Sequence, residues 1–191
     1  FKVHGVLLAL DERAAERVRV SGCTHCGARL DVANYPRKVR GLSAEGETAG
    51  AYEIRFSLCC SRDGCRHRAT PPSVRFLGRK VYVALAMLLV STGRAADTGS
   101  PPAIAVTRDA PSWATRRRYR RWWAVEFFAT PWFAEMAGRF AEPLDVVDAA
   151  ASLLDHFMGS LSERAVGLLR LVSPLTTKSV APEASRVAMG R

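Results

Sequence analysis

The stretch Tyr52-Glu53-Ile54-Arg55-Phe56-Ser57-Leu58-Cys59-Cys60-Ser61-Arg62-Asp63-Gly64-Cys65 runs an alternating apolar and polar pattern directly into closely spaced cysteines. Tyr52, Ile54, Phe56 and Leu58 fall on one side of the alternation, with Glu53, Arg55 and Ser57 on the other. A period of two predicts a half-buried β-strand. Four residues separate Cys60 from Cys65, with Gly64 just before the second cysteine. Upstream, Cys23-Thr24-His25-Cys26-Gly27 repeats the arrangement with a gap of two residues and a glycine that suits a tight turn.

Such turns bring two thiolates to one side of an ion, and zinc prefers four tetrahedral nitrogen or sulfur ligands. Two short knuckles separated by a strand-forming segment predict a zinc ribbon, with Cys23, Cys26, Cys60 and Cys65 holding Zn2+. Four thiolates leave no open coordination position, so the ion is expected to be structural. The 33 residues between the knuckles leave room for an inserted loop at 41–50. Cys59 is a competing ligand, but neighbouring strand residues point to opposite faces. Cys60 is the one expected to face the metal. His25 and His67 are read as solvent-facing, and no βαβ pattern supports a redox role for the Cys23–Cys26 pair.

Working outward, the chain has 191 residues, 48% of them apolar, a net charge of +10 and a pI near 10.0. Residues 1–141 contain 23 Lys and Arg against 12 Asp and Glu, whereas 142–191 contain 5 against 6. A positive excess confined to one part predicts a polyanion-binding portion and a separate packing portion. The longest apolar run, 81–90, has ten residues, against about 20 for a membrane-spanning helix. With no charged-then-apolar export signal, the cysteines are expected in a reducing compartment.

Several helices are predicted. Residues 1–20 form a short helix or an extension. Ser73, after Pro71-Pro72, is placed to cap a helix over 74–92, and Pro102 to open a short helix to 108. Ser112 is placed to cap a helix over 113–128 that Thr130-Pro131 ends. Helices over 144–158 and 162–172 follow, the latter opened by a capping box at Ser160 and Glu163.

The Ser112 helix contains Arg116-Arg117-Arg118-Tyr119-Arg120-Arg121-Trp122-Trp123. At 3.6 residues per turn, Thr115, Tyr119, Trp122, Trp123 and Phe127 share one side, with Glu126 at its edge. Arg116 with Arg120, and Arg117 with Arg121, stand on the other. These arginines repel one another unless a polyanion neutralises them. A DNA major groove would do so, and arginine there reads guanine by paired hydrogen bonds. A solvated face and a membrane-surface helix are the competing readings. Trp122 and Trp123 are read as core. Arg37, Lys38 and Arg40, and again Arg75, Arg79 and Lys80, are expected to contact phosphates, with a solvated surface as the equal alternative.

With these residues in view, the chain resembles a group of bacterial proteins linked to transposable elements, in which a transposase-type zinc ribbon precedes a helix-turn-helix. The resemblance is carried by Cys23-Thr24-His25-Cys26-Gly27, Tyr35-Pro36-Arg37-Lys38, Arg55-Phe56-Ser57-Leu58-Cys59-Cys60 and Gly64-Cys65-Arg66-His67-Arg68. Residues 70–79 and 112–123 extend it, so that it covers roughly 21–175. It implies DNA binding near mobile elements. The chain departs from the usual pattern in having Pro111 in the turn and Trp113 at the start of the second helix.

The expected fold is mainly α with a small β zinc ribbon, a helix-turn-helix and a C-terminal helical unit. The expected divisions are 1–20 as an N-terminal extension, 21–72 as the ribbon, 73–130 as the helix-turn-helix, and 131–191 as a packing unit and tail. The expected function is non-enzymatic binding of double-stranded DNA in the cytoplasm, at the nucleoid, with a protein partner on the C-terminal helices and no membrane contact. Rival classes are the DNA-recognition part of a transposase and a subunit of a larger nucleoprotein assembly. Asp145, Asp148 and Asp155 are read as a solvated acidic face on one helix.

Overall fold

In the first helix, α1 (Val3–Ser21), the buried residues are Val3, Leu7, Asp11, Ala14 and Val18. Steps of three and four place them on one stripe. Four are apolar, as a core-facing stripe requires; the fifth is an aspartate. The computed structural model describes residues 3–37, 50–76, 84, 88, 112–140 and 142–176. Among these it is mixed α/β, with five α-helices and two small antiparallel sheets.

The strands are β1 (Leu30–Val32), β2 (Tyr35–Pro36), β3 (Ile54–Arg55), β4 (Leu58–Cys60) and β5 (Arg68–Ala69). One sheet has the order β1-β4-β5 and the other pairs β2 with β3. Leu30 opposes Cys60, and Tyr35 opposes Arg55. The register is therefore continuous through both sheets, and they form one long hairpin with an interruption in the middle. There the Asn34 side chain accepts from the Ser57 amide at 3.0 Å, in place of a ladder bond.

The predicted single strand over 52–58 is accordingly two short ones, and its burial differs from the alternation. Ile54 is 46% exposed while Arg55 is 1% exposed. Arg55 turns inward because its guanidinium donates to the Pro71 carbonyl at 2.6 Å. The expected helix over 74–92 also differs. Ser73 Oγ accepts from the amides of Arg75 and Phe76, as a cap would, but residues 74–76 are not helical. Ala84 and Leu88 are helical and buried, and the rest of that segment lies outside the described residues, as do residues 41–49 of the loop expected at 41–50 and the helix expected over 102–108.

Further helices are α2 (Trp113–Arg121), α3 (Pro131–Met136), α4 (Ala149–Asp155) and α5 (Leu161–Val172). The Ser112 side chain caps α2, and a π-helical turn, Trp122–Glu126, continues it. Thr115, Tyr119, Trp123 and Phe127 recur every fourth residue, so a pure α-helix would rotate them out of line by about 40° per step. The wider π turn, closed by the Phe127 amide on the Trp122 carbonyl at 2.8 Å, takes up part of that drift. The short helix α3 has no counterpart in the sequence reading; Thr130 caps it and Pro131 occupies its first turn. The helix expected over 144–158 is the shorter α4. Asp145 accepts from the Val147 amide and Asp148 from the Ala151 amide, so side chains end the helix on its N-terminal side. In α5 the Ser160–Glu163 capping box is complete, a contribution of about 1 kcal/mol. No helix among the described residues is long and apolar enough to cross a membrane.

Two apolar clusters result. The larger gathers Val3, Leu7, Tyr52, Phe76, Trp123 and Phe127 with the inner faces of α4 and α5. The smaller contains Val18, Cys23, Leu30, Leu58, Cys60 and Ala69. α1 contributes to both.

Between them sits the aspartate of the α1 stripe. Asp11 accepts from Arg75 Nε at 2.8 Å, from the Val74 amide at 2.7 Å and from Ser73 Oγ. Arg75 also donates to the carbonyls of Ala51 and Ile54, and its guanidinium lies over the rings of Phe56 and Phe76. Both members of the pair are 1% exposed. Arg75 is therefore a buried structural cation, which corrects its assignment to phosphate contact. Asp11→Ala and Arg75→Met are each expected to lower the unfolding free energy by about 3–5 kcal/mol, because each leaves a buried charge unpaired. A double-mutant cycle in urea checks the pairing: the combined variant should lose less than the two single losses together.

Candidate functional site

α1 delivers the chain to the first knuckle. Ser21 Oγ donates to the Val18 carbonyl at the helix end, and Gly22 turns the backbone at φ +75. A Cβ at Gly22 would lie 3.1 Å from the Gly27 carbonyl oxygen, so both the angle and the space call for glycine. The turn closes by Gly27 N–H on the Cys23 carbonyl and Cys23 N–H on the Ala28 carbonyl, each at 2.8 Å. In the second knuckle the Cys65 and Arg66 amides both donate to the Arg62 carbonyl. Gly64 is at φ +83, and Arg66 is itself at a positive φ of 42.

The hairpin and the two turns bring Cys23, Cys26, Cys60 and Cys65 together, with all four Sγ atoms within 4.8 Å of one another. Cys23 and Cys65 are 3.8 Å apart at sulfur, and Cys26 and Cys60 3.5 Å. Four thiolates around a tetrahedral ion with metal–sulfur bonds of about 2.3 Å would be separated by about 3.8 Å. The donor set thus fits a metal ion. Backbone amides point at the sulfurs as well: His25 N–H lies 3.4 Å from Cys23 Sγ, and Arg62 N–H 3.4 Å from Cys60 Sγ. The Ala28 amide is the main cause holding the Cys26 thiol down at about 6. Burial pushes Cys60 up to about 12, as expected of a thiol with no exposed surface. Cys59, one residue along β4, turns away and points at the Arg66 carbonyl. The choice of Cys60 over Cys59 follows the strand alternation. His25 and His67 are exposed and stacked on each other at 6.1 Å.

The arginines of α2 form a separate feature. Arg116, Arg117, Arg120 and Arg121 are all exposed, while Thr115 and Trp123 are buried. Trp122 is half-buried and packs against the larger core. The apolar stripe therefore faces the core, and the basic side faces outward. Arg37 is half-buried, its guanidinium over the rings of Tyr35 and Phe76. Lys38, Arg79 and Lys80 lie outside the described residues. Asp148 caps α4 and Asp155 pairs with Arg164; only Asp155 of the three acids lies within a helix.

The feature that sequence reasoning missed is the Asp11–Arg75 pair. Its signal was the spacing of Val3, Leu7, Asp11, Ala14 and Val18, which puts an acid inside an apolar stripe. No family model, curated protein or solved structure matches this chain.

Cys60→Ser is expected to abolish stoichiometric metal binding, whereas Cys59→Ser retains it; metal analysis of the purified variants distinguishes the two. Ligand thiols must lose their protons to bind, and burial makes that loss harder for Cys60. Metal retention should therefore fall as pH is lowered, which a chromophoric chelator titration follows directly.

Proposed function

We propose that this protein is a zinc-ribbon DNA-binding protein with no catalytic activity of its own, acting on double-stranded DNA in the cytoplasm. The observation that carries the reading is the outward row of Arg116, Arg117, Arg120 and Arg121 on a helix whose opposite face is buried. A helix secured by its apolar side presents its charges as a fixed array and loses little freedom on binding. An α-helix with its side chains is about 10–12 Å across and fits a major groove about 12 Å wide, where an arginine pairs with the O6 and N7 of guanine. Arginines that do not reach a base edge would contact phosphates and set the orientation.

Zinc is the metal that a set of four thiolates in this geometry favours, and as a closed site it supplies folding energy without chemistry. Among the described residues the smaller cluster has six buried members, two of them the cysteines Cys23 and Cys60. So small a core gains most from a cross-link of this kind. Asp145, Asp148 and Asp155 have backbone-capping or ion-pairing tasks, which favours a non-catalytic reading over two-metal strand transfer. The segment expected to supply the first helix of a helix-turn-helix, 102–108, lies outside the described residues. The link to mobile elements rests on the sequence resemblance alone.

Fluorescence anisotropy with a labelled duplex of about 20 base pairs tests the partner. The logarithm of the binding constant should fall linearly with log salt, by about 0.9 per phosphate contacted. Arg116→Ala, Arg117→Ala, Arg120→Ala and Arg121→Ala together should reduce that slope by about 3–4. A salt-independent affinity contradicts the proposal. Metal analysis should find one zinc per chain, lost in Cys65→Ser.

A further inference from the structure

The arginine row on α2 begins with a large aromatic side chain that the core does not use. Trp113, the first residue of α2, is 71% exposed. Helical pitch places Trp113, Arg117 and Arg120 on one line, with Arg116 and Arg121 on either side. Thr115, which is buried, points the opposite way. The Arg117 guanidinium lies 5.4 Å from the centroid of the Trp113 ring. An indole face is thereby held at the end of a cationic track, on a helix whose other side is fixed in the core.

We propose that Trp113 stacks on an unpaired nucleobase, so that α2 binds DNA carrying a single-stranded tail or other unstacked base in preference to a fully paired duplex. This rests on the DNA-binding reading of the same helix and names the form of DNA it prefers. The physical case is complementarity. A ligand for this surface must offer a flat aromatic face beside closely spaced negative charges, and an unstacked nucleotide offers both. Stacking on an aromatic side chain is tolerant of base identity, and neighbouring arginines add cation–π attraction and phosphate contact. Within a continuous duplex the base faces are already stacked, and Trp113 would find only groove edges and backbone.

An anionic membrane surface also attracts tryptophan and arginine. It is disfavoured because an interfacial helix inserts an apolar face. The apolar side of the α2 segment is occupied, with Trp123 and Phe127 buried in the main cluster. Among the described residues of that segment, Trp113 and Val125 are the exposed large apolar side chains, too few to make an inserted face.

The test uses the full zinc-loaded chain, with anisotropy against a blunt duplex of about 20 base pairs and the same duplex carrying a single-stranded tail of about ten nucleotides. Wild-type protein should bind the tailed form more tightly and show quenching of exposed tryptophan emission on binding. Trp113→Ala should weaken binding to the tailed DNA about 5- to 100-fold and leave blunt-duplex binding nearly unchanged. Trp113→Phe should keep most of the preference. The side chain is exposed, so circular dichroism should show both variants folded. If Trp113→Ala weakens neither DNA, or both equally, stacking is wrong while the arginine face stands. If wild-type protein binds neither DNA, the DNA-binding reading fails first and takes this one with it. Trp113-dependent binding to vesicles of mixed neutral and anionic phospholipid, in place of tailed DNA, would overturn the nucleobase assignment in favour of a membrane.

Discussion

The Asp11–Arg75 ion pair fastens together parts of the chain that local structure would leave separate. Asp11 comes from the middle of α1, and Arg75 follows the second knuckle. The carbonyls that complete the arginine shell belong to Ala51 and Ile54 at the entry to β3. Ser73 joins the same node, and its amide donates to Thr176 beyond α5. A buried pair of this kind contributes little net stability compared with an apolar replacement, but breaking it on one side is costly. Its satisfied hydrogen bonds are directional, so they fix one arrangement of helix, hairpin and C-terminal segment where apolar contact alone would tolerate several.

The ribbon depends on a second constraint of different character. Its apolar cluster is small, and the four sulfurs lie at its centre. An ion there would cross-link the β4 end of the long hairpin, and the turn that follows it, to the segment leaving α1. The two constraints act on different parts of that helix: Asp11 holds its middle against the larger body, and Val18 leads into the first knuckle. The hairpin is shared in the same way, with β3 near the ion pair and β4 at the sulfurs.

The parts legible from sequence were those in which cause and effect lie within a few residues. The Cys-x2-Cys and Cys-x4-Cys turns, their glycines, the Ser112 cap and the Ser160–Glu163 capping box are all of this kind. The inward turn of Arg55 was not legible, because its partner is a carbonyl 16 residues away. Arg75 read as surface charge because its carboxylate lies 64 residues earlier. Helix ends failed where short polar side chains took over backbone amides, as Asp145 and Asp148 do before α4. The arginine side of α2 was legible from periodicity. The outward position of Trp113 follows from the same pitch, which sets it in line with Arg117 and Arg120, although the sequence reading did not draw it.

The presence of α1 residues in both apolar clusters has a thermodynamic consequence. A helix that is common property of two cores links their melting, because neither can open without stripping cover from a segment the other uses. Loosening the cysteine end would then be felt at His4, whose ring sits against the Tyr52 hydroxyl at the far end of the same helix, and the molecule would unfold as one cooperative unit despite its two centres.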